Sequence, residues 1–196
     1  MIANLTQTAA PQTEPLTLAK VKEHLLIEDD ASDGRLSDLL QVAVARFDGP
    51  SGILGRSLIT QTWALNLCDW PTDELLLPLP PVQAVASVKY YDDANVQQTW
   101  AAANYYTTRR GQLTFVRLAN SATLPSLYDR PDAIEVSFTA GYGAVPNAIP
   151  APIRQALLLQ VGELFGYRGD GEDNETASAD AAIERLIAPY RVRTWA

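Results

Sequence analysis

The chain has one cysteine, one histidine and one methionine in 196 residues. A lone Cys68 excludes an intramolecular disulfide framework and a zinc site built on several thiolates. A lone His24 excludes every site that needs two imidazoles, the H-E-x-x-H centre among them. No apolar run approaches the roughly 18 residues of a membrane helix. Positive charge is scarce as well: 15 Lys plus Arg stand against 23 Asp plus Glu, a formal net charge of −8. That balance argues against a protein that grips a phosphate backbone over its whole surface. The charge is spread evenly, −3 over residues 1–59, −3 over 60–149 and −2 over 150–196, so no segment is a basic module. Met1 to Pro15 holds no basic stretch leading into an apolar one. The chain is therefore expected to carry no secretory signal and to be made in a reducing compartment.

What is present is a folding composition. Hydrophobic residues make up 47 % and charged residues 19 %, enough apolar material for a core without metal or disulfide staples. The first fifteen residues are rich in Thr, Gln and Pro and read as a flexible arm, 1–15. Thr17 is placed to cap a helix in which Leu18, Val21 and Leu25 recur at helical spacing. After the acidic turn Glu28 to Asp33, a second helix carries Leu36, Leu39, Leu40, Ala43, Val44 and Phe47 on one stripe, and Gly49-Pro50 stops it.

The period then changes to two. Trp63, Leu65 and Leu67 alternate with Ala64 and Asn66. Val85 to Tyr91, a turn at Asp92 to Asn95, and Val96 to Trp100 read as a hairpin. Ile134, Val136 and Phe138 alternate with Glu135, Ser137 and Thr139. Helical spacing returns with Ile153, Leu157, Val161, Leu164 and Phe165, with Pro152 suited to the first turn. Gly169 to Asp180 is acidic, without bulky apolar groups, and reads as a solvated loop before a last helix carrying Ile183, Leu186 and Ile187. The fold expected is α+β: a helical bundle formed by the N- and C-terminal helices, 16–58 and 150–189, with a small β-rich insertion, 59–149. The helices of both ends each have one apolar face and must share a core. Residues 190–196 form a tail without acids.

No catalytic set emerges. There is no P-loop, no G-x-S-x-G, and no G-x-G-x-x-G following a strand. The carboxylate pairs Asp29-Asp30, Asp92-Asp93 and Glu172-Asp173 all fall in expected turns, where acids are simply solvated. Asp170, Glu172, Asp173 and Glu175 have the composition of a calcium loop but not its spacing. The expectation is no enzyme, no cofactor and no metal. Two features point instead to association. Tyr190, Arg191, Arg193 and Trp195 are residue types of binding hot spots in a stretch without apolar period. The β-rich part concentrates Trp63, Trp70, Trp100, Tyr90, Tyr91, Tyr105 and Tyr106. These belong to a core or to a subunit contact; a small hydrolytic or carbohydrate-binding protein using this aromatic unit is the alternative reading.

The segments LTLAKVKEHLLIEDDASD, GRSLITQTWAL, LPLPPVQAVASVKYYDD, VSFTAGYG with IPAPIRQALLLQVGELF, and IERLIAPYRV resemble, in this order, the head–tail connector (adaptor) proteins of long-tailed phages and gene transfer agents. The resemblance implies a structural subunit that forms a ring beneath the portal, of about twelve copies in head-to-tail contact. Such a ring extends the DNA channel and joins the head to a stopper, tail-completion protein or tail. It implies a place at the head–tail junction of the particle, assembled in the bacterial cytoplasm, with DNA passing through unheld and no membrane partner. It also implies a C-terminal segment that reaches the portal, which falls here on Tyr190, Arg191, Val192, Arg193 and Trp195. An acidic channel wall repels phosphate, so net charge −8 suits the role.

Overall fold

The computed structural model describes residues 3–120, 122–166 and 173–192. The elements run β1 (Ala3–Ala9), α1 (Leu18–Leu25), α2 (Asp33–Phe47), β2 (Gln61–Leu67), β3 (Glu74–Leu77), β4 (Val82–Tyr91), β5 (Gln97–Trp100), β6 (Tyr105–Arg110), β7 (Leu113–Leu118), β8 (Ile134–Ala140), α3 (Ala151–Gly166) and α4 (Asp173–Ile187). The chain divides into two units. One comprises Met1–Gln12 with Thr60–Tyr142, the other Thr13–Ile59 with Gly143–Ala196.

The first unit holds all the strands. A five-stranded antiparallel sheet has the order β1-β2-β8-β4-β5, and a three-stranded antiparallel sheet has the order β3-β7-β6. The core takes side chains from both sheets: Trp63, Leu65 and Leu67 of β2, Leu75 and Leu77 of β3, Val116 of β7, and Ile134, Val136 and Phe138 of β8. Strand β8 alternates buried and half-buried residues along its whole length, as a strand with one face on a core must.

This corrects the expected architecture. The α+β class stands, but the chain is not a helical bundle with a small β insertion. Among the described residues the β part is not small: eight strands form two sheets, with helices before and after most of them in sequence. The difference lies in short or polar strands. Ala3–Ala9, expected within the flexible arm 1–15, pairs with β2 from Ala3↔Leu67 onward and packs Leu5 against the core. Its own residues carry no apolar alternation, so its place is set by the edge that β2 offers. β6 reads Tyr-Tyr-Thr-Thr-Arg-Arg and is likewise fixed by its partner, β7.

The second unit packs the helices. Thr17 caps α1 as expected, its hydroxyl accepting from the Lys20 amide at 3.2 Å. Helix α2 buries Leu36, Leu40, Ala43 and Phe47, and α3 buries Ile153, Ala156, Leu157, Leu158 and Val161. Arg46 ties the N-terminal half to the C-terminal half. Its guanidinium donates to Gln160 Oε1 on α3 and meets Asp180 on α4 at 3.0 Å. Of the solvated loop expected over 169–180, the part from Asp173 onward is helix α4 instead. Arg168 to Glu172 lie outside the described residues.

Candidate functional site

Residues Gly49–Ile59 fold back on the end of α2. The Gly49 amide donates to the Arg56 carbonyl at 2.7 Å, and the Ile53 amide to the Arg46 carbonyl at 2.8 Å. Asp48 closes the loop by accepting from the Leu58 amide at 2.6 Å. Two glycines make this compactness possible. A Cβ on Gly52 would lie 2.4 Å from the Asp48 carbonyl oxygen and 2.6 Å from Phe47 backbone atoms. Gly55 sits at φ +61°, where side chains are disfavoured.

This loop holds the C-terminal segment. Arg56, 2 % exposed, donates its Nε–H to the Tyr190 carbonyl. The Val192 amide donates to the Leu54 carbonyl at 3.0 Å. The Val192 side chain stands 3.5 Å from where a Cβ on Gly55 would be. Arg191 reaches back to Glu184 on α4 at 2.6 Å, with both side chains more than a third exposed. Tyr190 ends a 3-10 turn, Ala188–Tyr190, in which Pro189 stops α4. Three of the five expected portal-contact residues, Tyr190, Arg191 and Val192, are thus moored to their own chain. Arg193 and Trp195 lie outside the described residues.

The other singled-out residues are structural in their surroundings. Asp92 organises the β4–β5 turn, accepting from the amides of Ala94 at 3.1 Å and Val96 at 2.9 Å and from Gln98 at 2.8 Å. These bonds, with the Val96 amide foremost, hold its carboxyl below the usual range. Asp29 accepts from the Ala31 amide at 2.9 Å, and Asp30 pairs with Lys22 at 2.5 Å. Trp63 and Trp100 are buried. Trp70 lies 4.7 Å from Trp100 between ring centroids and donates its indole N–H to the Pro125 carbonyl at 3.0 Å. Tyr105 stacks on Trp100 at 5.8 Å. A small apolar cleft beside Trp70 and Trp100 has Asp73 as its one charged lining residue. His24 is exposed on α1, and Cys68 is a half-buried free thiol. Among the described residues no three His, Cys, Asp or Glu side chains gather where they could hold a metal.

No family model and no curated protein matches the chain. Solved structures do. A chain of the neck of an empty gene transfer agent (GTA) particle, computed with C6 symmetry, superposes with a TM-score of 0.78 at 26 % identity, covering 98 % of this chain and 97 % of that one. A chain of the virion of a native GTA particle superposes with a TM-score of 0.75 at 28 % identity, covering 97 % of each. The neck of a native GTA particle computed with C12 symmetry gives 0.69 at 26 % identity, covering 98 % and 97 %. This chain is a structural neighbour of GTA neck proteins. The likeness spans both units and agrees with the resemblance carried by the sequence segments.

Against that neighbourhood the mooring loop gains interest. Sequence reasoning singled out the tail but not the loop that holds it. Arg56, Leu54 and Gly52 were missed because a buried arginine and two spaced glycines look like an ordinary connection. The signal available was Gly49-Pro-Ser-Gly52-Ile-Leu-Gly55-Arg56 itself: three glycines and an arginine within eight positions.

Proposed function

We propose that the chain is a non-enzymatic head–tail connector subunit. It forms a ring beneath the portal, extends the DNA channel and joins the head to a stopper or tail. The observation that carries this reading is the near-complete mutual coverage, 97–98 %, with chains of GTA necks solved under six- and twelve-fold symmetry. Net charge −8 supports it, because a conduit lined by acids lets DNA slide without holding it.

In this reading the mooring loop sets where the tail leaves the subunit. Arg56 and Leu54 fix the main chain at Tyr190 and Val192, so Arg193 to Trp195 start from a defined point. The tail without acids then presents Arg and Trp to the portal, with Arg191 at its base.

The test is light-scattering mass after size exclusion, with the chain alone and then with the portal ring from the same genome. One large complex with several copies per portal is expected. Two separate peaks across salt and concentration overturn the reading.

A further inference from the structure

Strand edges are where soluble proteins guard against unwanted pairing, with charges, prolines or short lengths. Three of the four outer strands are guarded in that way. β3 begins with Glu74 and is followed at once by Pro78, and β6 ends in Arg109 and Arg110. β5 is only four residues long. β1 differs. It is a seven-residue outer strand of the five-stranded sheet with no charge and no proline, Ala-Asn-Leu-Thr-Gln-Thr-Ala. Asn4, Thr6, Gln7, Thr8 and Ala9 are exposed. Its pairing with β2 is regular from Ala3 to Gln7 and shifts only between Gln7 and Ala9. One side of β1 bonds to β2, so alternate N–H and C=O groups face away from the sheet, ready for a further strand.

We propose that the open edge of β1 is a contact between copies of this chain, in which an extended segment of the next copy adds to the five-stranded sheet along Ala3–Gln7. The partner is argued from charge. Each copy carries −8, so two copies approach best where neither presents charge, and β1 is such a place. A basic partner would be drawn to the acids rather than to a neutral edge, and DNA would be repelled by a chain of net charge −8. Main-chain pairing of this kind gives affinity without requiring apolar side chains, which suits the polar faces of Thr6 and Thr8. A head-to-tail ring repeats one such contact at every subunit boundary. The inference rests on the ring reading above.

The experiment places a photo-crosslinking residue at Thr6 in the full chain, mixes it with the portal ring, and records mass by light scattering before irradiation. Hydrogen exchange over Ala3–Ala9 is compared between the assembled and free chain. The expected result is an adduct between two copies of this chain, with exchange slowed at least about tenfold in the assembly. An adduct to the portal overturns the assignment of the partner. An assembly of full mass with no self-adduct and unchanged exchange overturns the edge contact while leaving the ring reading in place. Absence of any assembly overturns the ring reading, and the edge contact with it. As a second variant, Thr6→Lys with Thr8→Lys is expected to cut the assembled fraction at least about tenfold while leaving the thermal midpoint nearly unchanged, because both positions are exposed. Thr107→Lys on β6 is the control and assembles normally. Normal assembly by the double-lysine chain overturns the proposal.

Discussion

Arg56 donates its Nε–H to the carbonyl oxygen of Tyr190, so a buried cation in a loop after α2 holds the main chain just after α4. Removing it leaves that carbonyl without this donor and opens a void. Arg56→Ala is expected to destabilise the protein by about 2–3 kcal/mol, read by urea denaturation. It is also expected to speed hydrogen exchange at Val192. Unchanged exchange there would show that the loop does not hold the tail.

The glycines of the same loop separate two kinds of constraint. A Cβ at Gly52 meets backbone atoms at 2.4–2.6 Å, whereas Gly49 at φ +79° has open space around it. Gly49→Ala should cost about 1 kcal/mol from its left-handed backbone alone. Gly52→Ala should cost more, about 2–4 kcal/mol, because main chain must shift. Equal thermal midpoints for the two variants would contradict this.

Glu163 offers a test with pH. Partial burial raises its carboxyl above the ordinary value of 4.5, and Asp180 adds to that, while Arg46 and Gln160 act the other way. A carboxyl raised in the folded state binds its proton more tightly there than in the unfolded chain. Its contribution to stability is therefore most favourable at low pH and declines as pH rises from about 4.5 through the folded value. Glu163→Gln should flatten that part of the profile and leave the variant the more stable chain at neutral pH. The measurement is denaturant stability of both chains from pH 4 to 8, taken as a difference. The difference cancels the opposite trends of Asp30, Asp92 and Asp132, whose values are lowered.

For the tail, Arg191→Ala, Arg193→Ala and Trp195→Ala combined are expected to abolish co-elution with the portal. The Arg191–Glu184 pair is exposed and contributes at most about 1 kcal/mol. Fold stability should therefore change little. Normal docking by the triple variant refutes the assignment of the tail.

Trp100 is the centre of the aromatic cluster and only 6 % exposed. Trp100→Ala is expected to destabilise the strand unit by about 3–5 kcal/mol. A stability loss under 1 kcal/mol would mean that the cluster is not core.

How much of this could be read beforehand depends on where the determining contacts lie. The cap at Thr17, the stripe Leu36–Leu40–Ala43–Phe47, the β4–β5 hairpin and the alternation of β8 are all local patterns, and the structure has each of them. β1 was illegible because its partner Leu67 is far along the chain and its own residues are polar. The start of α4 was missed because Asp173 to Asp180 has no apolar stripe to mark it. In the candidate site the tail was visible by residue type, whereas its mooring depends on a carbonyl of Tyr190, and main-chain groups leave no trace in residue identity.

The split of the strand unit across the chain has a consequence for biosynthesis. Ala3–Ala9 leaves the ribosome first, yet the strand it joins, Gln61–Leu67, follows only after both N-terminal helices. β8, the other neighbour of β2, comes later still. The nascent chain therefore carries an unpaired, uncharged strand until Leu67 has emerged, the condition under which chains misassociate. The strand unit can close once Ala140 has emerged, whereas the helical unit must wait for α3 and α4. Folding in the cell is thus expected to complete the strand unit before the helical unit, and Tyr190 finds Arg56 last.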